Sequence, residues 1–247
     1  MLKKTFCHIS GITLNTEKAL WEQGIVDWDH FFDKSDHLTT LSTSKIANIK
    51  EELRESQIAL ASNNIKYFRD LLDSKQHWRL ARHGKIAYVD IETTGLSRHH
   101  DEITLIGIYD GDNSEIYVQG KNLEHAKDRL KQFDVFVTYN GKQFDIPFIE
   151  THFDVRFDAA HLDLRYMLRE YGLQGGLKSI ERQVGITRGS DVADIDGFEA
   201  VRLWRRYQRG DAQALNTLMK YNQEDIVNLK TLLNIYLQKK MADHHMS

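Results

Sequence analysis

From residue 85 to 92 apolar and β-branched side chains run on until two acids and a Thr-Thr-Gly turn close the segment. This pattern predicts a buried strand that ends on its carboxylates. Side chains alternate along a strand, so Asp90 and Glu92 leave the same face. Further strands are expected over residues 102–109, 114–119, 135–139 and 159–162, the second and third joined into a β-hairpin by Asp110-Gly111-Asp112-Asn113. Helical periodicity covers residues 123–133 and 144–153, a segment starting at Asp163, then 177–184, 198–209 and a long 212–239, with Pro147 near the start of the second. Early strands with helices between and after them predict an α/β fold, a mixed five-stranded sheet made of a hairpin plus parallel strands and flanked by helices.

The first 76 residues carry no strand pattern and predict a small all-α module. Asn15 or Thr16 can cap a short helix through Leu20 and Trp21 that Gly24 ends, and Asp27 can cap a second with Trp28, Phe31 and Phe32. The order of glycine, helix, glycine and helix is faintly similar to a helix-hairpin-helix, but Thr13 stands where that motif has its second glycine; plain aromatic packing is the alternative. Apolar residues from Ile46 to Leu72 predict two helices broken at Ser62-Asn63-Asn64. The polar stretch Ser74-Lys75-Gln76-His77 marks the expected joint, giving a module 1–76, a domain 77–240 and a disordered tail 241–247.

Composition narrows the function classes. The 247 residues carry a net charge of −3, so bulk charge does not make the chain a polyanion binder. Nucleic acid would have to be met by a local basic patch or through bound metal. One cysteine, Cys7, excludes an internal disulfide. No window approaches the roughly 18 apolar residues of a membrane span. Together with the lack of a signal-peptide core, these features lead us to expect a cytoplasmic protein without a membrane partner.

Two carboxylates side by side repel each other unless a cation lies between them. The long C-terminal helix offers a third acid, because Tyr221 and Asp225 fall one turn apart on its apolar stripe of Leu215, Leu218, Leu229, Leu232 and Tyr236. A carboxylate there must be neutralised or strongly hydrogen-bonded. The fourth, Asp145, follows Asn140-Gly141-Lys142-Gln143-Phe144 at the end of the fourth strand, where open α/β sheets place ligand sites. It could equally cap the helix that follows.

The order Asp90-x-Glu92, Asn140-x-x-x-Phe144-Asp145, Tyr221-x-x-x-Asp225 resembles the three motifs of DEDD 3′–5′ exonucleases with the RNase H fold. The tyrosine is that of the DEDDy branch, since Lys220 stands where the other branch has histidine. The Trp78-Arg79-Leu80 lead-in and the N-terminal segment are similar to the YprB-like predicted exonucleases. The resemblance implies an RNase H-like domain that hydrolyses phosphodiester bonds at the 3′ end of single-stranded DNA or RNA with two Mg²⁺ or Mn²⁺ ions. By the same resemblance Asp90 bridges both ions, Glu92 and Asp225 complete the site of the water-activating ion, Asp145 supports the second, and Tyr221 orients the water with Glu92. Hard cations take oxygen ligands, which suits this donor set. Thr93, Thr94, Gly95, Leu96, Asn140 and Phe144 are the implied nucleic-acid contacts, with Leu96 wedged against the terminal base or simply packed.

Other patterns have plainer readings beside the functional ones. Arg202, Arg205, Arg206 and Arg209 recur at i, i+3, i+4 and i+7, a stripe that can track phosphates or remain a solvated face. Asp163, in His161-Leu162-Asp163-Leu164, is expected to cap the next helix. His99-His100-Asp101 and Asp243-His244-His245 are expected in an exposed loop and a frayed tail. Two further classes stay open: a non-catalytic nucleic-acid-binding module and a structure-specific endonuclease.

Overall fold

The computed structural model describes residues 1–38 and 40–243. The chain divides into two compact units, Met1–Gly84 with the chain from Lys239 onward, and Lys85–Gln238.

The described elements of the first unit are helices and turns. The helices α1 (Leu14–Glu22), α2 (Trp28–Lys34), α3 (Thr43–Ala61) and α4 (Ile65–Leu71) follow one another. Thr13, rather than Asn15 or Thr16, caps α1 by accepting from the Thr16 N–H, and Asp27 caps α2 as expected. The break between α3 and α4 falls where the polar triplet placed it, and Asn64 caps the second helix. Trp28 and Phe31 are fully buried, so these aromatics serve packing. The polar stretch that suggested a joint opens a 3-10 segment, Ser74–Arg82, which buries Trp78, Arg79 and Leu80. Arg79 donates to Glu17 at 2.5 Å with both side chains wholly buried, and that pair holds the segment inside the first unit.

The second unit carries the sheet. Strands β1 (Ile86–Thr93), β2 (Ile103–Tyr109), β3 (Ser114–Val118), β4 (Val135–Thr138) and β5 (Ala160–Asp163) lie in the order β3-β2-β1-β4-β5. β1 pairs antiparallel with β2 and parallel with β4, while β2–β3 is antiparallel and β4–β5 parallel. This is the mixed hairpin-plus-parallel sheet of the RNase H-like α/β fold.

Alternation along β1 sorts its side chains. Ala87, Val89 and Ile91 enter a core shared with α5 (His125–Leu130) and α6 (Asp145–Phe153). Asp90 and Glu92 leave the opposite face. A second cluster joins Leu105 and Val118 of the sheet to α9 (Gly197–Gln208) and α10 (Ala212–Asp243). The shorter α7 (Leu164–Arg169) and α8 (Leu177–Gln183) complete the fold. α10 runs to Asp243, so residues 241–243 are helical rather than part of a disordered tail. Residues 244–247 of that expected tail, His244 and His245 among them, lie outside the described residues. Among the described residues no helix is long and apolar enough to cross a membrane.

Candidate metal and nucleic-acid site

Four acids from three elements meet at one cleft. Asp90 and Glu92 come from the end of β1, Asp145 from the first turn of α6, and Asp225 from the middle of α10. Asp90, Glu92 and Asp225 each bring a carboxylate oxygen within 4.8 Å of the others. Asp145 stands beside this trio, and its Oδ1 accepts the Ile91 N–H at 3.1 Å. It is not the helix cap, because Phe144 occupies that position. Its carboxylate is tied to the backbone of the strand that carries the other two acids.

Electrostatics show what the trio lacks. Burial, then repulsion from Asp225 and Asp145, pushes both Asp90 and Glu92 well above the usual carboxylate range. Burial pushes Asp145 up to about 7, although backbone N–H groups oppose it. Asp225 is pushed up to about 6, again by burial, with the Arg188 charge pulling it back down. The Tyr221 hydroxyl is raised by burial and by the same acids. Three buried carboxylates and the half-buried Asp90, all with raised proton affinities, are under-compensated. Their donor set is all oxygen, and a divalent oxygen-seeking cation fits it.

The structure adds partners that sequence reasoning did not select. Asn222 Nδ2 donates to Asp90 Oδ2 at 2.8 Å and to the Asp90 carbonyl at 3.4 Å. Its position was signalled, since Leu215, Leu218, Asn222, Ile226 and Leu229 form one buried helical stripe. Arg188 donates to Asp225 and, from Nε and Nη2, to both Glu181 oxygens at 2.6 and 2.7 Å. Lys178 Nζ and the Arg188 guanidinium lie 5.0 and 5.7 Å from the centre of the Tyr221 ring. Periodicity carries no signal for Arg188, which lies outside every regular element.

Two glycines make room at the site. A Cβ on Gly107 of β2 would lie 2.1 Å from Asn222 Oδ1, so only glycine lets the amide reach Asp90. A Cβ on Gly141 would lie 2.5 Å from Thr138 Cβ, in the tight turn that follows β4. That turn is further held by Asp163, which accepts from the N–H groups of Asn140 and Lys142 besides capping α7 through Arg165. His161 is occupied by Thr138 at 2.8 Å.

The cleft has a volume of about 920 Å³. Thr93, Thr94, Gly95, Leu96, Asn140 and Phe144 all line it, together with the four acids and Tyr221. Leu96 is 86% exposed, so packing does not account for it. Thr93 Oγ1 donates to the Gly95 carbonyl, and Asn140 Oδ1 accepts from Arg165. His99 and His100 are exposed, and Asp101 accepts from Ser97 and Thr94 within its own loop. α9 also lines the cleft, contributing Phe198, Val201, Arg202 and Arg205.

Comparison with known proteins agrees with this architecture. The family B DNA polymerase of Pyrobaculum calidifontis is similar over 64% of this chain at 18% identity and a TM-score of 0.50, a likeness of fold. This chain covers 24% of that polymerase. NrnC of Brucella melitensis with bound Mg²⁺ aligns over 64% of this chain and 75% of its own, at 19% identity and a TM-score of 0.44. No curated protein matches the chain. A family model described as the RNase H superfamily matches residues 87–237, well over half of the sequence, and the chain therefore belongs to the RNase H superfamily.

Proposed function

We propose that this protein is a divalent-metal-dependent 3′–5′ exonuclease of the DEDDy type that shortens single-stranded DNA or RNA. The supporting observation is the convergence of Asp90, Glu92 and Asp225 within 4.8 Å, beside Asp145 and Tyr221, in one open cleft. Asp90, Glu92 and Asp225 would hold Mg²⁺ or Mn²⁺, with Asp145 supporting a second ion. Bound ions of this kind supply Lewis acidity toward the phosphoryl oxygens and acidify a coordinated water.

The chain's own residues have separable tasks. Glu92, within carboxylate reach of Asp90 and Asp225, would receive the proton of the attacking water at a carboxylate oxygen. Tyr221, protonated throughout the neutral range, offers its hydroxyl to orient that water. Asn222 fixes the rotamer of Asp90, and the Ile91 N–H fixes that of Asp145. The water oxygen bonds to phosphorus as the P–O3′ bond breaks, and the departing 3′ oxygen takes a proton from solvent. The products are a nucleoside 5′-monophosphate and a strand one residue shorter with a free 3′ hydroxyl.

Leu96 reaches into the cleft from the turn after β1 and would rest against the terminal base. Thr93, Thr94, Gly95, Asn140 and Phe144 would border the terminal nucleotide. Recession of the acids favours a frayed or single-stranded end, because a paired end cannot reach them.

The test is digestion of 5′-labelled oligonucleotides with Mg²⁺ or Mn²⁺. A ladder of products from the 3′ end is expected from the wild type and not from Asp90→Ala. Release of internal fragments from a circular single strand, or an unchanged ladder from Asp90→Ala, overturns the assignment.

A further inference from the structure

The four arginines at residues 202, 205, 206 and 209 do not act as one stripe in the folded protein. Arg206 donates from Nε and Nη2 to Asp211 at 3.0 and 2.6 Å, a partner beyond the end of α9. Arg209 follows the last residue of that helix, and it does not line the cleft. Arg202 and Arg205 do line it, as Leu96 does. Arg205 makes no ion pair with any described residue, and Arg202 has only an exposed 3.3 Å contact with Glu199.

The two cleft arginines share their helical face with two apolar residues. Phe198, Val201, Arg202 and Arg205 fall at i, i+3, i+4 and i+7, a strip of about 10 Å at 1.5 Å rise per residue. The opposite face of α9, with Ala200, Leu203 and Trp204, is buried in the core. Phe198 is 82% exposed. An exposed aromatic ring lining a cleft, next to one guanidinium without an ion pair among the described residues and one held only by a long exposed contact, matches the pairing by which proteins hold single strands: bases stack while arginines follow the backbone. A duplex would not use this strip, because both faces of each paired base are already stacked.

Charge placement agrees. Five carboxylates line the cleft, the four acids and Asp196 at the start of α9, and anionic phosphates approaching it meet repulsion unless cations guide them. Arg202 and Arg205 are the arginines that α9 contributes to the cleft wall.

We propose that this face of α9 is the track for the single strand leading to the acids, with Phe198 stacking on a base and Arg202 and Arg205 taking the phosphates on its 5′ side. The inference rests on the exonuclease reading for its direction of travel. Its test is separable from that reading. Binding of fluorescein-labelled ten-nucleotide oligo(dT) is followed by anisotropy in EDTA, where no turnover occurs.

The Arg202→Ala/Arg205→Ala pair is compared with Arg206→Ala/Arg209→Ala, which removes equal charge from the same helix but outside the strip. All four positions are exposed and alanine favours helix, so each variant keeps its fold. The first pair is expected to bind at least tenfold more weakly and to reduce the slope of log K against log salt by about 1.4. The second pair is expected to stay within about twofold of wild type. Phe198→Ala is expected to lose about fivefold or more with the salt slope unchanged.

Equal losses in the two arginine pairs, no loss in the first, or equally tight binding of a blunt duplex each overturn the track. Turnover of bis(p-nitrophenyl) phosphate by the wild type with Mn²⁺ reads the acidic centre alone. Its absence counts against the nuclease reading and leaves the binding contrast intact.

Discussion

Arg188 holds Asp225. Its guanidinium donates to the Asp225 carboxylate while Glu181 grips it at 2.6 and 2.7 Å, and all three side chains are about 95% buried or more. Glu181 also accepts from Asn228 on α10 at 3.0 Å, so a chain of hydrogen bonds links α8 to the helix that carries Asp225 and Tyr221.

Removing the cation from this network leaves two buried carboxylates facing each other. Arg188→Met is expected to lower stability by about 3–5 kcal/mol, the usual cost of breaking a buried pair by losing one partner. Arg188→Lys keeps the charge but not the planar fork, and is expected to recover only part of that loss. Denaturant midpoints of the three proteins decide it. Equal midpoints would show that the network bears no load.

The acids predict a metal effect on stability that is independent of turnover. Burial, with repulsion from neighbouring carboxylates, makes Asp90, Glu92, Asp145 and Asp225 costly to ionise in the folded chain. A divalent ion binding only the folded state at about 100 times its Kd adds about 2.7 kcal/mol. Mn²⁺ is therefore expected to raise the melting midpoint of the wild type. Asp90→Asn relieves repulsion, so it is expected to melt higher than wild type in EDTA and to gain little from Mn²⁺. A wild-type midpoint indifferent to Mn²⁺ and Mg²⁺ would remove the basis for a metal site.

Gly107 and Asn222 are coupled by space. Gly107→Ala puts a methyl group 2.1 Å from Asn222 Oδ1 and 3.1 Å from Ile226 Cγ2, which displaces the amide that donates to Asp90. Overpacking of this kind costs about 1–3 kcal/mol. The double variant Gly107→Ala/Asn222→Ala is expected to be more stable than the sum of the single changes, because the second removes the clash made by the first. Additive losses in a double-mutant cycle would mean that the two residues do not share this space.

The acids were readable because regular elements project them in fixed directions. Alternation along β1 put Asp90 and Glu92 on one face, and the four-residue step on α10 put Tyr221 beside Asp225. Asn222 lay on the same stripe but escaped notice, since a buried amide reads as a packing exception until its partner on β1 is seen. Arg188 could not be read at all. Its partners lie 7 and 37 residues away and meet it through irregular chain after α8. The arginine pattern of α9 was visible as four equivalent charges, but Asp211 withdraws Arg206, and that pairing depends on the turn after the helix. The polar stretch at residues 74–77 precedes the division between the two units, at Gly84/Lys85, by several residues. The 3-10 segment that this stretch opens, residues 74–82, is kept in the first unit by a buried charge, Arg79, balanced by a distant residue, Glu17.

His8 in the first unit sets a pH dependence. Its ring is buried, Nε2 shares a hydrogen with Ser56 Oγ at 2.8 Å, and the Trp28 and Phe68 rings lie 5.4 and 5.5 Å away. Burial, helped by the Arg79 charge, lowers it to about 3. The folded state therefore binds this proton less readily than the unfolded chain, whose histidine titrates near 6.5. The stability contributed by neutral His8 is complete above about pH 6.5 and declines as pH falls toward 3, with a slope of at most about 1.4 kcal/mol per pH unit. His161 of the second unit, also lowered to about 3 by burial, contributes with the same sign. His8→Gln keeps a polar group within reach of Ser56 and cannot titrate. Denaturation followed by tryptophan fluorescence, with Trp28 beside the histidine, should give a shallower loss of stability between pH 6.5 and 4 in this variant than in the wild type. Parallel curves would mean that His8 stays neutral in both states or accepts its proton without cost.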